Sequence, residues 1–139
     1  MRFPYVKTPT RDPKKKWLSR PLIPVALFGP KGSIYIDALI DSGADMCLFH
    51  SDIGRDIGLK IEKGEREIFS GIEGGNVVVY VYTIYLQIIG MSEKVEVRAG
   101  FAETPGVSAI LGQEGFFDNF QIKFQRNIHS IEINPTRKK

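Results

Sequence analysis

A run of β-branched and aromatic residues, "VVVYVYTIYLQI" at 77–88, constrains the fold more than any other feature of the chain. Such residues fit the pleated, half-buried surface of a sheet and are enriched in strands. Further strand-like runs, bounded by glycine, proline or polar residues, lie at 21–28, 33–40, 65–69, 93–101 and 108–112. Near the end, "FQIKFQ" and "HSIEI" predict a final hairpin around Asn127. We therefore expect an all-β fold.

Helix signals are few. Ser51 is predicted to be the N-cap of a short helix from Asp52 to Ile57, with Gly58 as its C-terminal stop. A second short helix is predicted at 113–120. The expected fold is therefore a sheet protein with one or two short helices.

The length and charge pattern indicate one folded domain with two basic ends. A chain of 139 residues is large enough to bury a core. Residues 1–20 hold seven Lys or Arg residues against one Asp, and prolines crowd this segment, so a flexible basic extension is predicted. Residues 21–134 form the predicted domain, and 135–139 form a basic tail. Residues 21–136 carry nine basic against fifteen acidic side chains, so the domain itself is acidic.

A basic extension can bind nucleic acid or an anionic membrane, but a solvated arm is the simpler interpretation. Trp17 gives the arm one stacking group, so nucleic acid is expected as an accessory partner at most. No apolar run approaches the roughly 20 residues that span a bilayer. The first residues have positive charge without a following apolar segment, which does not predict a secretory signal. Together with the single cysteine, Cys47, these features predict a cytoplasmic protein.

The segment "ALIDSGADM" at 38–46 places two carboxylates, a hydroxyl and a glycine directly after apolar residues. Asp-Ser-Gly alone is a common turn sequence. Ser42 lacks the Gly-x-Ser-x-Gly surroundings of a hydrolase nucleophile. His50, His129 and Cys47 lack the paired spacings of zinc ligands, so no metal site is predicted. The segment Asp41-Ser42-Gly43-Ala44 is left as the candidate site.

Three further features give this segment a context. Leu39 and Ile40 would anchor Asp41 at the end of a buried strand, and about seventy residues later comes the apolar-apolar-glycine sequence 110–112. Between them lies "IFSGIEGGNVVVY", a glycine-tipped hairpin. In these elements, over roughly residues 20–133, the sequence resembles the retropepsin-like aspartic proteases. The resemblance implies a closed β-barrel or sandwich, equivalent to half of a pepsin-type architecture.

The resemblance also implies roles for individual residues. Asp41 would be the catalytic aspartate. Its loop would be supported by Ser42, Gly43 and Ala44. A bracing motif behind the loop would consist of Ile110, Leu111 and Gly112. A mobile flap that binds substrate would include Gly71, Ile72, Gly74 and Gly75.

One Asp-Ser-Gly-Ala segment supplies half of an aspartic protease site, so the resemblance implies a homodimer with one Asp41 from each chain. Two carboxylates a few ångströms apart share one proton and act as base and acid together; aspartic proteases are the standard example. The implied activity is endopeptidase cleavage of a peptide substrate, with no metal or organic cofactor. The alternative is a catalytically silent relative that binds peptides or serves in assembly.

Overall fold

A computed structural model describes residues 1–70, 75–103 and 108–136. Within these residues the chain forms twelve strands. They are β1 (Arg2–Pro4), β2 (Val6–Pro9), β3 (Trp17–Arg20), β4 (Leu22–Gly29), β5 (Gly32–Ile40), β6 (Cys47–His50), β7 (Glu65–Ser70), β8 (Asn76–Ile88), β9 (Lys94–Ala102), β10 (Ala109–Leu111), β11 (Phe120–Gln125) and β12 (Ser130–Pro135). One α-helix, α1 (Ser51–Asp56), and two 3-10 turns, Ile61–Lys63 and Arg126–Ile128, complete the described elements.

Six strands form a closed barrel in the order β4-β5-β10-β6-β9-β8, because β4 pairs with β5 on one side and with β8 on the other. Strand β7 extends this sheet beyond β8. Closure removes the free edges from these six strands. The predicted all-β fold with a closed barrel is confirmed, and every strand predicted after residue 20 is present.

The long apolar run forms β8, which joins three parts of the barrel. Its first half pairs with β7 up to Val81, and its second half pairs with β4 from Tyr85 onward, while β9 follows its other side. The buried positions change phase between Val81 and Ile84, where β8 passes from one partner to the other. A strand with many β-branched residues can remain regular over this length because it is supported along both edges.

Helix α1 begins one residue earlier than predicted. Its N-cap is His50, whose Nδ1 accepts a hydrogen bond from the Asp52 N–H at 3.1 Å, whereas Ser51 is the first helical residue and is buried. Gly58 ends the helix as predicted, with φ of 94° in the left-handed region that glycine adopts without strain.

The predicted helix at 113–120 is wrong. The segment is a series of turns in which Gly115 has φ of 91° and the Asp118 carboxylate accepts its N–H at 3.1 Å. Phe116 and Phe120 are buried in the core, with ring centroids 5.4 Å apart. The burial of these two rings and the left-handed conformation of Gly115 replace the helical turns that the local sequence favours.

Residues 1–20 also differ from the irregular extension that was predicted. Strand β1 pairs with β12, which pairs in turn with β11, to give a three-stranded sheet. Strands β2 and β3 form a separate hairpin in which Pro9 lies opposite Trp17. The hairpin predicted at the C-terminal end is confirmed as β11–β12, with a 3-10 turn between its strands. No helix in the described part of the chain is both long and apolar enough to cross a membrane.

Candidate functional site

Asp41 directly follows β5 and is fixed to the barrel by its backbone. Its N–H donates to the Leu111 carbonyl at 2.9 Å, which continues the parallel pairing of β5 with β10. Leu39 lies opposite Ile110 and Ile40 opposite Leu111 in this pairing. Leu111 is fully buried, whereas the Asp41 side chain is half-buried. The predicted bracing motif and the candidate aspartate therefore meet, seventy residues apart in sequence.

The loop after Asp41 folds back onto its carboxylate. The Gly43 N–H donates to Asp41 Oδ1 at 2.9 Å, and the Ala44 N–H donates to the Asp41 carbonyl at 3.2 Å. A Cβ at position 43 would stand 3.2 Å from Oδ1, so glycine permits this close approach. Ser42 and Gly43 are exposed and Ala44 is half-buried. The loop thus orients a carboxylate by a backbone hydrogen bond and leaves its surroundings open to a ligand.

Gly112 lies against the back of the same loop. A Cβ there would stand 2.4 Å from the Met46 carbonyl oxygen and 2.7 Å from that of Ala44, both backbone atoms. Beyond it, the Gln113 N–H donates to the Ala44 carbonyl at 2.8 Å and the Glu114 N–H to the Asp45 carbonyl at 2.9 Å. The motif at 110–112 therefore braces the loop by backbone contact, which only a residue without a side chain allows.

Gln113 was not predicted as a site residue. Its Nε2 donates to the Ser42 carbonyl at 2.7 Å. Gln113 therefore holds the loop twice, with its side chain at Ser42 and with its backbone N–H at Ala44. The sequence offers no signal for this contact beyond its position next to Gly112.

We expect Gln113→Leu to loosen this loop, because a hydrogen bond of this kind contributes about 0.5–1.5 kcal/mol. Amide hydrogen exchange at Gly43 and Ala44 should accelerate about 2- to 12-fold. Gln87→Leu is the matched control, since Gln87 makes the same type of bond to the Met91 carbonyl at 2.9 Å. Equal acceleration in the control would show that Gln113 does not act locally.

Part of the predicted flap can be located. Strands β7 and β8 form a hairpin that is paired as far as Ser70 and Asn76. Gly75 is exposed at its end, and among the described residues a Cβ there would meet no atom within 4 Å. Gly71, Ile72 and Gly74, predicted for the tip, lie outside the described residues.

The other chemically reactive candidates do not form a site. Cys47 is fully buried, and burial raises the pKa of its thiol from 9.0 to about 11, as expected for a cysteine that packs as a small apolar residue. In the described part of the chain, no three His, Cys, Asp or Glu side chains are grouped so that they could hold a metal ion.

Comparison with solved structures places this geometry in a known fold. The chain resembles a retropepsin-like aspartic protease from Rickettsia conorii, with 12% identity, a TM-score of 0.62, and coverage of 96% of this chain and 98% of the other. It also resembles the EIAV protease complexed with the inhibitor HBY-793, with 21% identity, a TM-score of 0.52, and coverage of 75% and 88%. No protein-family model and no curated protein matches the sequence. The chain therefore has the fold of the retropepsin-like aspartic proteases.

Proposed function

We propose that this protein is an aspartic endopeptidase that is active as a homodimer. The observation that carries the proposal is the loop 41–44, whose glycine N–H orients the Asp41 carboxylate and whose back is closed by Gly112. This loop occurs in a chain with a retropepsin fold, and the retropepsin-like aspartic protease from Rickettsia conorii matches 96% of the chain. The likeness in fold and the local carboxylate geometry are independent observations that favour the same chemistry.

In the proposed mechanism, the Asp41 carboxylates of two chains face each other and share one proton. The ionised carboxylate accepts a proton from a water molecule, which attacks the peptide carbonyl carbon, and the protonated carboxyl supports the carbonyl oxygen. The proton then passes to the leaving nitrogen as the C–N bond breaks. Gly43 maintains the orientation of each carboxylate through its N–H. The Ser42 hydroxyl and the small Ala44 side chain support the loop where the two chains meet.

The substrate is proposed to be a peptide in extended conformation, held by strand-like main-chain hydrogen bonds. The β7–β8 hairpin would close over it, with backbone groups of Gly71, Ile72, Gly74 and Gly75 as the binding elements. Support for this assignment is the paired base of the hairpin and the exposure of Gly75.

The dimer interface is proposed to include the outer edge of β11. Strand β12 lies between β1 and β11, so both of its edges are already paired within one chain. Strand β11 pairs with β12 on one side, and the side chain of its Phe124 is 40% exposed. Of the two C-terminal strands, β11 is thus the one that, among the described residues, has an unpaired edge and an exposed apolar side chain to offer a second copy.

A dilution series tests the proposal. Purified protein should cleave members of a mixed peptide library, a statine-type inhibitor should block the cleavage, and a chelator should have no effect. Activity per chain should fall once the concentration drops below the dimer dissociation constant, because each chain supplies one Asp41. Sedimentation over the same range should show the change from dimer to monomer. A fully active monomer would contradict the proposal.

The alternative is a silent peptide-binding or assembly module with the same fold. Such a module would bind extended peptides without cleaving them, and the library assay distinguishes the two. We also propose a cytoplasmic setting, which the single buried Cys47 supports because the chain needs no disulfide.

A further inference from the structure

A groove with a volume of about 350 Å³ lies against the end of β5 that leads into the Asp41 loop, with Leu39 in its lining. Its floor is a row of apolar side chains on three neighbouring strands, in which Leu39 of β5 lies opposite both Leu22 of β4 and Ile110 of β10. All three side chains are half-buried. Residues two apart on an extended strand share a face, so Leu39 and Asp41 project to the same side of the sheet. The groove therefore lies on the face of the sheet to which Asp41 projects, two residues along the chain from Leu39.

One wall of this groove comes from the β2–β3 hairpin, in the segment that the sequence predicted to be a free arm. Thr8 and Pro9 of β2 and Arg20 of β3 line it, together with Asp37 from the barrel. The tip of the hairpin begins immediately after Pro9, so Arg11 lies within about 7 Å of Pro9 along the chain.

The tip has a defined turn structure. The Asp12 carboxylate accepts the Lys14 N–H at 2.9 Å, and the Asp12 carbonyl accepts the Lys15 N–H at 3.0 Å. The Asp12 N–H donates to Thr10 Oγ1 at 3.2 Å. These bonds fix the backbone that carries the lysines relative to the strand that lines the groove.

The hairpin and the barrel carry opposite charge. Residues 6–20 have a net charge of +5, from six basic residues against Asp12. The basic residues are Lys7, Arg11, Lys14, Lys15, Lys16 and Arg20. Across the described residues, the ion pairs within 4.0 Å involve Arg2, His50, Arg55 and Arg98, and none involves a cation of the hairpin. Residues 21–136 carry six more acidic than basic side chains, so the barrel itself repels anions.

We propose that the β2–β3 hairpin is a substrate-recognition element that selects peptides with acidic residues beside the segment bound in the groove. The apolar floor accepts one substrate side chain, and the cations of the hairpin attract carboxylates a few residues away along the extended peptide. This inference rests on the proposed peptidase function for its substrate, but binding tests it without cleavage.

The experiment uses two fluorogenic peptide pools that have random apolar residues at four central positions. One pool has three glutamates on each side, and the other has three glutamines. The ratio of kcat/KM for the glutamate pool to that for the glutamine pool is measured at 50 mM salt. We expect a ratio of about ten for the unmodified protein, which falls toward one in the variant Lys14→Gln/Lys15→Gln/Lys16→Gln and at 300 mM salt.

The matched control removes the same charge elsewhere, in Lys31→Gln/Lys60→Gln/Lys63→Gln, where the exposed lysines lie outside the groove lining. This control should retain most of the preference for glutamate. A ratio near one in the unmodified protein, or an equal loss in both triple variants, overturns the role of the hairpin.

Binding of the same labelled pools to the Asp41→Asn protein, followed by fluorescence anisotropy, separates the two proposals. Tighter binding of the glutamate pool without cleavage by the unmodified protein would refute the peptidase function and retain the hairpin as an acidic-peptide site. Cleavage without a preference for the glutamate pool would support the peptidase function and refute the role of the hairpin. Binding of a single-stranded oligonucleotide that depends on the three lysines, with no preference between the pools, would assign the hairpin to nucleic acid instead.

Discussion

Replacing Asp41 with asparagine is expected to reduce peptide hydrolysis by about a thousandfold or more, because an amide can neither accept a proton from water nor share one with a second carboxylate. The Gly43 N–H can still donate to the side-chain oxygen of asparagine, so the loop and the barrel should remain folded. Circular dichroism and sedimentation of the variant should match those of the unmodified protein. Undiminished cleavage by the variant would remove Asp41 from the mechanism.

Mixing the two proteins gives a sharper result than the variant alone. If each active unit needs an intact Asp41 from both chains, exchange of equal amounts of the two proteins leaves about one quarter of the dimers fully intact. Activity should therefore fall to about one quarter of that of the same total concentration of unmodified chains. A fall to one half would mean that a chain works alone, and the two-chain site would be wrong.

Gly112→Ala is the second change with a large expected effect. The added Cβ would stand 2.4 Å from the Met46 carbonyl oxygen and 2.7 Å from that of Ala44, and neither backbone atom can move without shifting the loop behind Asp41. Overpacking of this kind costs about 1–3 kcal/mol of stability. Displacement of the loop should also reduce kcat/KM, because the orientation of the carboxylate depends on its backbone.

Gly75→Ala provides the control for the stability measurement, since Gly75 is exposed and a Cβ there meets no atom of the described residues within 4 Å. Urea unfolding should show a change of at most about 0.5 kcal/mol for this variant. A Gly112→Ala protein as stable as the control would show that the contact between Gly112 and the loop is not tight in solution.

The strands could be predicted because their signals are local, and the loop at 41–44 could be located because its sequence is short and contains a glycine. The run at 77–88 is rich in β-branched and aromatic residues. In Asp-Ser-Gly-Ala and in 110–112, each glycine lies where a side chain would crowd the atoms of the loop. Both appear in the structure where they were expected. Except for the bond of the Gln113 side chain, the hydrogen bonds between residues 41–45 and 111–114 join backbone atoms. Apart from the glycines, the residue types in these segments therefore do not indicate which bonds form.

The remaining elements depend on distant partners. The segment 113–120 has helix-compatible residues, but burial of Phe116 and Phe120 dictates a series of turns. The β2–β3 hairpin contains two prolines near its tip, and the charge of its lysines suggested a solvated arm, yet its strands pair across Pro9 and Trp17. Gln113 reaches Ser42 only because the fold brings residues 71 positions apart together.

The pairing of β1 with β12 constrains the order in which the elements of the fold can form during synthesis. Phe3 lies opposite Ile131, 128 positions later in the chain, so β1 cannot pair until β12 has been made. Closing so long a loop is slow compared with forming a hairpin, because the chain loses conformational entropy before the pairing contributes any stabilisation. The loop around Asp41 is synthesised before β11 and β12, so the three-stranded sheet cannot be complete when this loop is made. A chain that has grown only as far as the loop lacks the proposed interface strand β11, and under the proposed two-chain site it cannot yet be active.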